Sequence, residues 1–340
     1  MSQPGVEPST PTPPGGQPPA VRVRGLVKSY GSVQAVRGID LDVAPGETFG
    51  FLGPNGAGKS TTINILCTLA EASAGTAEVA GFDVVSQRAA VRRQIGLVFQ
   101  EPTLDGYLTG EQNLRFHGEL YGVDRASAAA RREQVLRMVG LWERRGDEVN
   151  KYSGGMRRRL EIARGLLHSP SVLFLDEPTI GLDPQTRKSI WTYLGELHRT
   201  ERTTVFVTTH YMEEAENCDR IAIMNEGRIV ALDTPDRLKA GVGADRVQIS
   251  THDDNEALRR LRERFGLDAG VHEGLVTVSV PDGAGFVPRL FTELGVEIRS
   301  VTVQRPTLDD VFLAHTGSTI RDAEAGAGPS AFAVMARRGR

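Results

Sequence analysis

The sequence predicts an α/β protein: a mostly parallel sheet with an antiparallel β layer and a helical subdomain, followed by a small C-terminal α/β domain. Three observations carry that prediction. From Val21 to about Ala240, short apolar runs alternate with helical patterns, and two runs, SVLFLD and TTVFVTT, are nearly continuous, as strands buried on both faces are. From about Leu104 to Gly146 the pattern is helical and interrupts that alternation. After about Gly241 the alternation restarts on a smaller scale.

Residues 1–19 form a proline-rich leader with nothing to bury, read as a disordered, polyproline-II-prone tail. The larger domain spans 20–240. VRVRGLV and AVRGIDLDV open it as an antiparallel lead-in layer; ETFGFL, RQIGLVF, SVLFLD, TTVFVTT and RIAIM are its further strand candidates. The helical subdomain, about 104–165, carries a capping box at Thr109 and Gln112 and the run ASAAARREQVLRMVGLW. It closes on KYSGGMRRRLEIARG, where Met156, Leu160, Ala163, Leu166 and Leu167 share one helical face, so that Ser153, Gly154 and Gly155 stand at a helix N-terminus. The accessory module, 241–316, reads as strands RVQIS, GLVTVSV and VEIRSVTV with helices NEALRRLRERFG and AGFVPRLFTELG. Pro306 is expected to open a last helix, PTLDDVFLAH, with Leu308, Val311 and Phe312 on one face. Residues 317–340 are rich in Gly, Ala and Arg and read as a flexible tail.

Bulk properties restrict the function. The 340 residues are 39% hydrophobic and 24% charged, ordinary for a globular protein, and a net charge of −3 gives no reason to expect nucleic acid or anionic lipid as partner. Cys67 and Cys218 fall in helical segments and read as reduced thiols rather than a bridge. No stretch approaches eighteen apolar residues, and no basic start precedes an apolar run, so neither a membrane span nor a secretory signal is expected. Any membrane part belongs to another chain.

GPNGAGKST, Gly53 to Thr61 (Gly53, Pro54, Asn55, Gly56, Ala57, Gly58, Lys59, Ser60, Thr61), matches the phosphate-loop pattern between a strand and a helix. Its glycines let backbone N–H groups turn inward around a β-phosphate, Lys59 reaches the β- and γ-phosphates, and Ser60 offers a hydroxyl to Mg²⁺. SVLFLDEPT delivers Asp176 and Glu177 to the C-terminal end of a buried strand, where open parallel sheets bind ligands. Asp176 would hold the Mg²⁺ shell, and Glu177 would orient and deprotonate the attacking water. Alone, each remaining feature has a bland reading. Gln100, ending RQIGLVFQ, is a surface residue or an amide touching metal-bound and attacking waters. His210, ending TTVFVTTH, is a capping residue or a sensor of the γ-phosphate. Tyr30 is a half-buried strand tyrosine or an adenine stack. Asp183 in GLDP sits on an outward-facing turn. The free N–H groups behind Ser153 make a second anion trap far from the phosphate loop, or an ordinary N-cap.

In this order and spacing, the phosphate loop, Gln100, the Ser-Gly-Gly segment, Asp176-Glu177, Asp183 and His210 resemble the ATP-binding-cassette (ABC) ATPases over about Val21 to Ala240. That resemblance implies a P-loop ATPase core that binds ATP and Mg²⁺ and works as a head-to-tail homodimer. Ser153, Gly154 and Gly155 of one chain would then hold the γ-phosphate of the partner's ATP, which gives the second anion trap its ligand. The usual segment is Leu-Ser-Gly-Gly-Gln; here Tyr152 and Met156 replace the leucine and the glutamine. Tyr-Ser-Gly-Gly-Met, EPTLDGYLTGEQNL and the C-terminal RPTLDDVFLAHTG resemble the daunorubicin-resistance-type drug exporters.

That subgroup pairs a separate ATPase chain with an integral membrane permease. It implies an ATPase at the cytoplasmic face of the membrane, held there by the permease and driving efflux of a hydrophobic compound. The alternatives are a non-transport ABC ATPase acting on ribosomes or DNA, an ATP-regulated adaptor whose small domain binds a partner, and a P-loop kinase. The first usually carries two cassettes, a coiled coil or zinc-binding cysteines, none present here; the last needs an acceptor site and a lid. The permease contact is expected around Leu104 to Leu120.

Overall fold

The computed structural model describes residues 18–317 apart from residue 273. The two expected tails therefore lie almost entirely outside the described residues. The described chain forms two compact units, divided between Thr234 and Pro235.

The first unit opens with β1 (Val21–Tyr30) and β2 (Val33–Val43), an antiparallel pair joined by a tight turn. β3 (Thr48–Leu52) leaves that layer and runs through the phosphate loop into α1 (Lys59–Leu66). β4 (Ala74–Val79) and β5 (Phe82–Asp83) then complete a four-stranded antiparallel sheet, order β2-β1-β4-β5. α2 (Arg88–Gln94) leads to β6 (Ile95–Val98). The helical insertion follows with α3 (Gly110–Leu120), α4 (Arg125–Met138), 3-10 turns at Trp142–Arg144 and Val149–Lys151, and α5 (Gly154–Leu166). The chain returns through β7 (Val172–Asp176), α6 (Pro184–Glu201), β8 (Thr204–Thr209), α7 (Met212–Ala215), β9 (Arg220–Asn225) and β10 (Arg228–Asp233).

The second sheet has the order β10-β9-β3-β8-β7-β6, with every pair parallel except β10 on β9. Its central strands are almost wholly buried, which is why they read as unbroken apolar runs. Parallel pairing also gathers the ends of β3, β6, β7 and β8 along one edge, so four loops distant in sequence converge. The principal apolar cluster joins both sheets to α1: Val21, Val23, Leu26 and Leu41 pack with Phe49, Phe51, Phe174, Phe206, Ile63 and Leu66. The Phe49, Phe51 and Phe174 rings each lie 5.2–5.3 Å from Phe206, and burial of each such ring contributes about 1.5–3 kcal/mol.

The second unit contains α8 (Pro235–Val242), β11 (Asp245–Thr251), α9 (Asp254–Phe265), β12 (Ala269–His272), β13 (Leu275–Val280), α10 (Gly283–Glu293), β14 (Ile298–Gln304) and α11 (Leu308–Thr316). Its sheet is antiparallel, order β12-β13-β11-β14, and buries Val247, Ile249, Val276 and Val278 against Leu261, Phe286 and Leu290. The α/β fold class holds, and two local expectations change. β6 stops at Val98, so Gln100 lies on the bend beyond the strand rather than at its end. The last helix starts at Leu308, because Thr307 is its N-cap in a capping box with Asp310; Pro306 precedes the cap. Leu308, Val311 and Phe312 are buried together on the expected face.

Candidate functional site

The phosphate loop is shaped by the strand it leaves and the helix it enters. Gly58, the residue before α1, has φ +106°, and a Cβ there would stand 2.4 Å from the Ala35 carbonyl oxygen. Only glycine fits that turn, which aims the unpaired N–H groups of the first turn of α1 into the loop. Lys59 is buried, and its Nζ donates to the carbonyls of Gly53 at 2.7 Å and Pro54 at 3.1 Å. Asn55 and Gly56 are exposed at the loop's crest, and Ser60 and Thr61 are half-buried on α1.

Asp176 and Glu177 meet this loop from β7. The Ser60 hydroxyl donates to Asp176 Oδ1 at 3.0 Å, and Thr208 of β8 donates to the same oxygen at 2.6 Å. Thr208 is the register partner of Asp176 and also accepts from the Glu177 N–H at 2.9 Å. Glu177 has φ +45°, a strained value for a residue with a side chain, and the neighbouring strand holds it there. Its Oε1 lies 3.4 Å from Lys59 Nζ and 3.5 Å from His210 Nδ1. Glu177 Oε2 and His210 Nδ1 are both buried with no hydrogen-bond partner among the described residues.

The two carboxyls are tuned apart. Burial pushes Asp176 above the ordinary aspartate range, against the hydrogen bonds from Thr208 and Ser60. Burial also works to raise Glu177, but the His210 ring and the Lys59 charge outweigh it and leave the carboxyl below the ordinary glutamate range. An ionised carboxylate with an unpartnered buried oxygen can accept a proton from water. Among the described residues, no group of three or more His, Cys, Asp or Glu side chains could hold a metal ion. Ser60 and Asp176 are hard oxygen donors, and so is the Gln100 amide. That set suits Mg²⁺, which is commonly bound by one or two carboxylates and completed by phosphate and water oxygens.

The remaining predicted residues make no direct hydrogen bond to this cluster among the described residues. Gln100 is exposed on the bend after β6. Tyr30 is half-buried at the end of β1, with Lys28 Nζ 4.7 Å from its ring centroid. Asp183 is exposed and caps α6, accepting from the Thr186 N–H at 3.0 Å and its hydroxyl at 2.6 Å; these bonds hold its carboxyl below the usual range. Ser153 is exposed and caps α5 through the Met156 N–H at 3.2 Å, while Gly155 is buried behind it against Thr186. Tyr152 is buried, and its hydroxyl donates to the Arg144 carbonyl at 2.7 Å.

Sequence reading missed three residues that hold the site in shape. Thr208 is one; the pair of threonines closing the buried strand TVFVTT was the available signal. Glu214 of α7 is buried and accepts from Thr179, two residues after Glu177, and from Thr209, the residue before His210. Arg158 of α5 is buried and donates to backbone carbonyls on both sides of Glu177. These last two sit among exposed-looking charge runs, MEEAE and MRRRLE, and nothing in their spacing marks them as interior.

Comparison with known proteins follows the same division of the chain. Residues 36–180 match the family described as ABC transporter, and residues 234–316 match the ATP-binding protein DrrA1-3-like, C-terminal domain. The chain is 42% identical over 312 residues to the daunorubicin resistance ATP-binding protein DrrA3 of Streptomyces coeruleorubidus, covering 90% of this chain and 98% of that protein. It is 36% identical over 319 residues to the linearmycin resistance ATP-binding protein LnrL of Bacillus subtilis (strain 168), covering 89% and 100%. Among solved structures, a dimeric post-hydrolysis state of the ATP-binding cassette MJ0796 bound to ADP and Pi superposes with a TM-score of 0.57 at 27% identity, covering 63% of this chain and 98% of that one.

Proposed function

The chain belongs to the ABC transporter ATP-binding family, and on that basis we propose that it hydrolyses ATP to drive efflux of a hydrophobic, drug-like compound through a separate membrane permease. Nucleotide binding and ATP hydrolysis are properties of the family. The cargo class follows the relatives, which are named for resistance to daunorubicin and linearmycin. Among the described residues no helix is long and apolar enough to cross a membrane, in keeping with a permease on another chain. We place the chain at the cytoplasmic face of the membrane.

The observation that carries the mechanism is the buried Glu177 between Lys59 and His210, with one carboxylate oxygen unpartnered. In this reading Lys59 and the N–H groups at the start of α1 hold the phosphates, and Tyr30 lies against the adenine. Ser60, Asp176 and Gln100 would hold Mg²⁺, which when bound neutralises phosphate charge and fixes its orientation. Glu177 accepts a proton from the attacking water, and His210 contacts the γ-phosphate. Ser153, Gly154 and Gly155 of a second copy complete the site, with Asp183 at the same junction. ATP thus favours the associated pair, and loss of the γ-phosphate releases it. Around Leu104–Leu120, Tyr107, Phe116 and Leu120 are 88%, 65% and 70% exposed, and this apolar surface supports placing the permease there.

The test is Glu177→Gln. It keeps the shape and removes the base, so ATP binding persists, turnover nearly vanishes, and light scattering finds an ATP-dependent dimer. A variant that stays monomeric at saturating ATP contradicts the shared-site reading.

A further inference from the structure

The first turns of α5 carry three consecutive arginines, Arg157 to Arg159, and the middle one is 7% exposed. A buried guanidinium is costly unless its donors are matched. Those of Arg158 are matched by three separate segments. Nε donates to the Pro178 carbonyl at 2.6 Å and Nη2 to the Asp176 carbonyl at 3.1 Å, so the two contacts straddle Glu177. Nη1 donates to the Phe99 carbonyl, the residue before Gln100, and to Glu161 Oε2 at 3.0 Å. Glu161, also buried, accepts from the Thr103 N–H through its other oxygen at 2.7 Å. The loop bearing Gln100 is therefore pinned at both ends by one Arg–Glu pair on α5, and the same arginine straddles Glu177.

We propose that Arg158 is a positioning residue for hydrolysis: its planar fork fixes the Gln100 loop and Glu177 relative to each other, and through Glu161 it transmits movement of the Thr103 segment to the water-activating carboxylate. This rests on the assignment of Glu177 as base. The geometry suits the task. A guanidinium presents five donors in a rigid plane, so it cannot release one segment without disturbing its bonds to the others. Thr103 leads directly into the surface proposed to meet the permease, and Arg164 of α5 donates to its carbonyl at 3.1 Å. Nothing in the arrangement gives Arg158 a contact with substrate; it acts through Gln100 and Glu177.

The experiment uses the full chain, with phosphate release for turnover and mant-ATP titration for affinity. Displacing catalytic groups by about 1 Å typically costs about 100-fold, so Arg158→Gln should lower kcat to that degree while the mant-ATP Kd changes by less than about threefold. Arg158→Lys should recover little, because an ammonium lacks the flat fork. Gln100→Ala should cost little more once Arg158→Gln is present, since groups acting as one unit are not additive. The proposal is overturned if Arg158→Gln turns over like the parent, if the Arg158 and Gln100 effects multiply, or if affinity falls as steeply as turnover. Should Arg158→Gln fail to fold, Arg158→Lys decides, and parental turnover there overturns it. Glu177→Gln in the same series separates the two readings: surviving turnover removes the Glu177 assignment. Abolished turnover beside a parent-like Arg158→Gln removes only the Arg158 role.

Discussion

Thr208→Val is the sharpest test of how the carboxylate pair is built. The side chain is fully buried, valine matches its volume, and the substitution deletes one hydroxyl that serves two groups. Asp176 loses a hydrogen bond to its ionised form, a contact of about 1.5–3 kcal/mol. Its carboxyl should therefore rise further above the ordinary aspartate range, where burial already holds it. The Glu177 N–H is left buried without an acceptor, which costs about 1–3 kcal/mol. Both losses pass through one oxygen and do not simply add, so about 3 kcal/mol of destabilisation is expected. For a unit of this size that lowers Tm by about 6–12 °C.

The sign follows from linkage. The folded Asp176 pKa moves further above its unfolded value, so stability present below the unfolded pKa is lost as pH rises through the folded one. The penalty is therefore larger near neutrality than in acid. On the proposed role of Asp176 in holding Mg²⁺, the acid limb of the kcat/KM profile, which reports the free enzyme, should move up. Thr208→Ser, which keeps the hydroxyl, should leave that limb in place. A Val variant whose acid limb coincides with that of the Ser variant would refute the argument.

Other outcomes follow from the same geometry. His117, packed on Tyr121 at 4.5 Å, has its pKa lowered to about 4 by burial, then by the charges of Arg164 and His168. The neutral ring's stability is fully present above about pH 6.5 and is lost as pH falls toward 4; screening of this part-exposed ring limits the effect to about 1–2 kcal/mol. His117→Phe should flatten the urea midpoint between pH 7 and pH 5. Gly155→Ala places a Cβ 2.5 Å from Thr186 Cγ2, whose residue is fixed by Asp183, so the starts of α5 and α6 must part. Overpacking costs about 1–3 kcal/mol, and carried into the proposed dimer contact it should weaken the ATP-dependent dimer by about 5- to 150-fold in light scattering, with mant-ATP affinity of the single chain retained. Lys59→Ala removes the cation beside Glu177 and the proposed phosphate contact, so it should weaken mant-ATP binding itself, whereas Glu177→Gln should not.

The parts of this fold that were legible in sequence are those whose environment is uniform. β3, β7 and β8 are buried on both faces, so each reads as an apolar run. β4, β5, β10 and β12 were not read. β4 has three exposed positions in AGTAEV, β5 has two residues, β10 is a half-buried edge and β12 is four residues ending exposed. None carries a periodicity long enough to recognise. The site divides in the same way. Residues whose chemistry is local, such as Lys59 or the Asp176-Glu177 pair, announce themselves by motif. Thr208, Arg158 and Glu214 act through contacts made across the sheet or between helices, and only the fold reveals those neighbours.

At Tyr152 and Met156 the structure shows how little the proposed second anion trap depends on its flanking side chains. The tyrosine does not enter the trap: its ring is buried and its hydroxyl is spent on the Arg144 carbonyl, bracing the turn that precedes α5. Met156 contributes its backbone, since the N–H that Ser153 accepts belongs to residue 156 whatever its side chain. The serine therefore adopts an N-cap conformation at φ −64° and ψ 164° without help from a glutamine, and Gly154 stays exposed beside it. An anion arriving at this end meets a hydroxyl, N–H groups and the positive end of the α5 dipole. All three are independent of the two substituted side chains. On the proposed shared site, Tyr152 and Met156 should therefore leave ATP-dependent association intact, which light scattering of the Met156→Gln variant beside the parent would check.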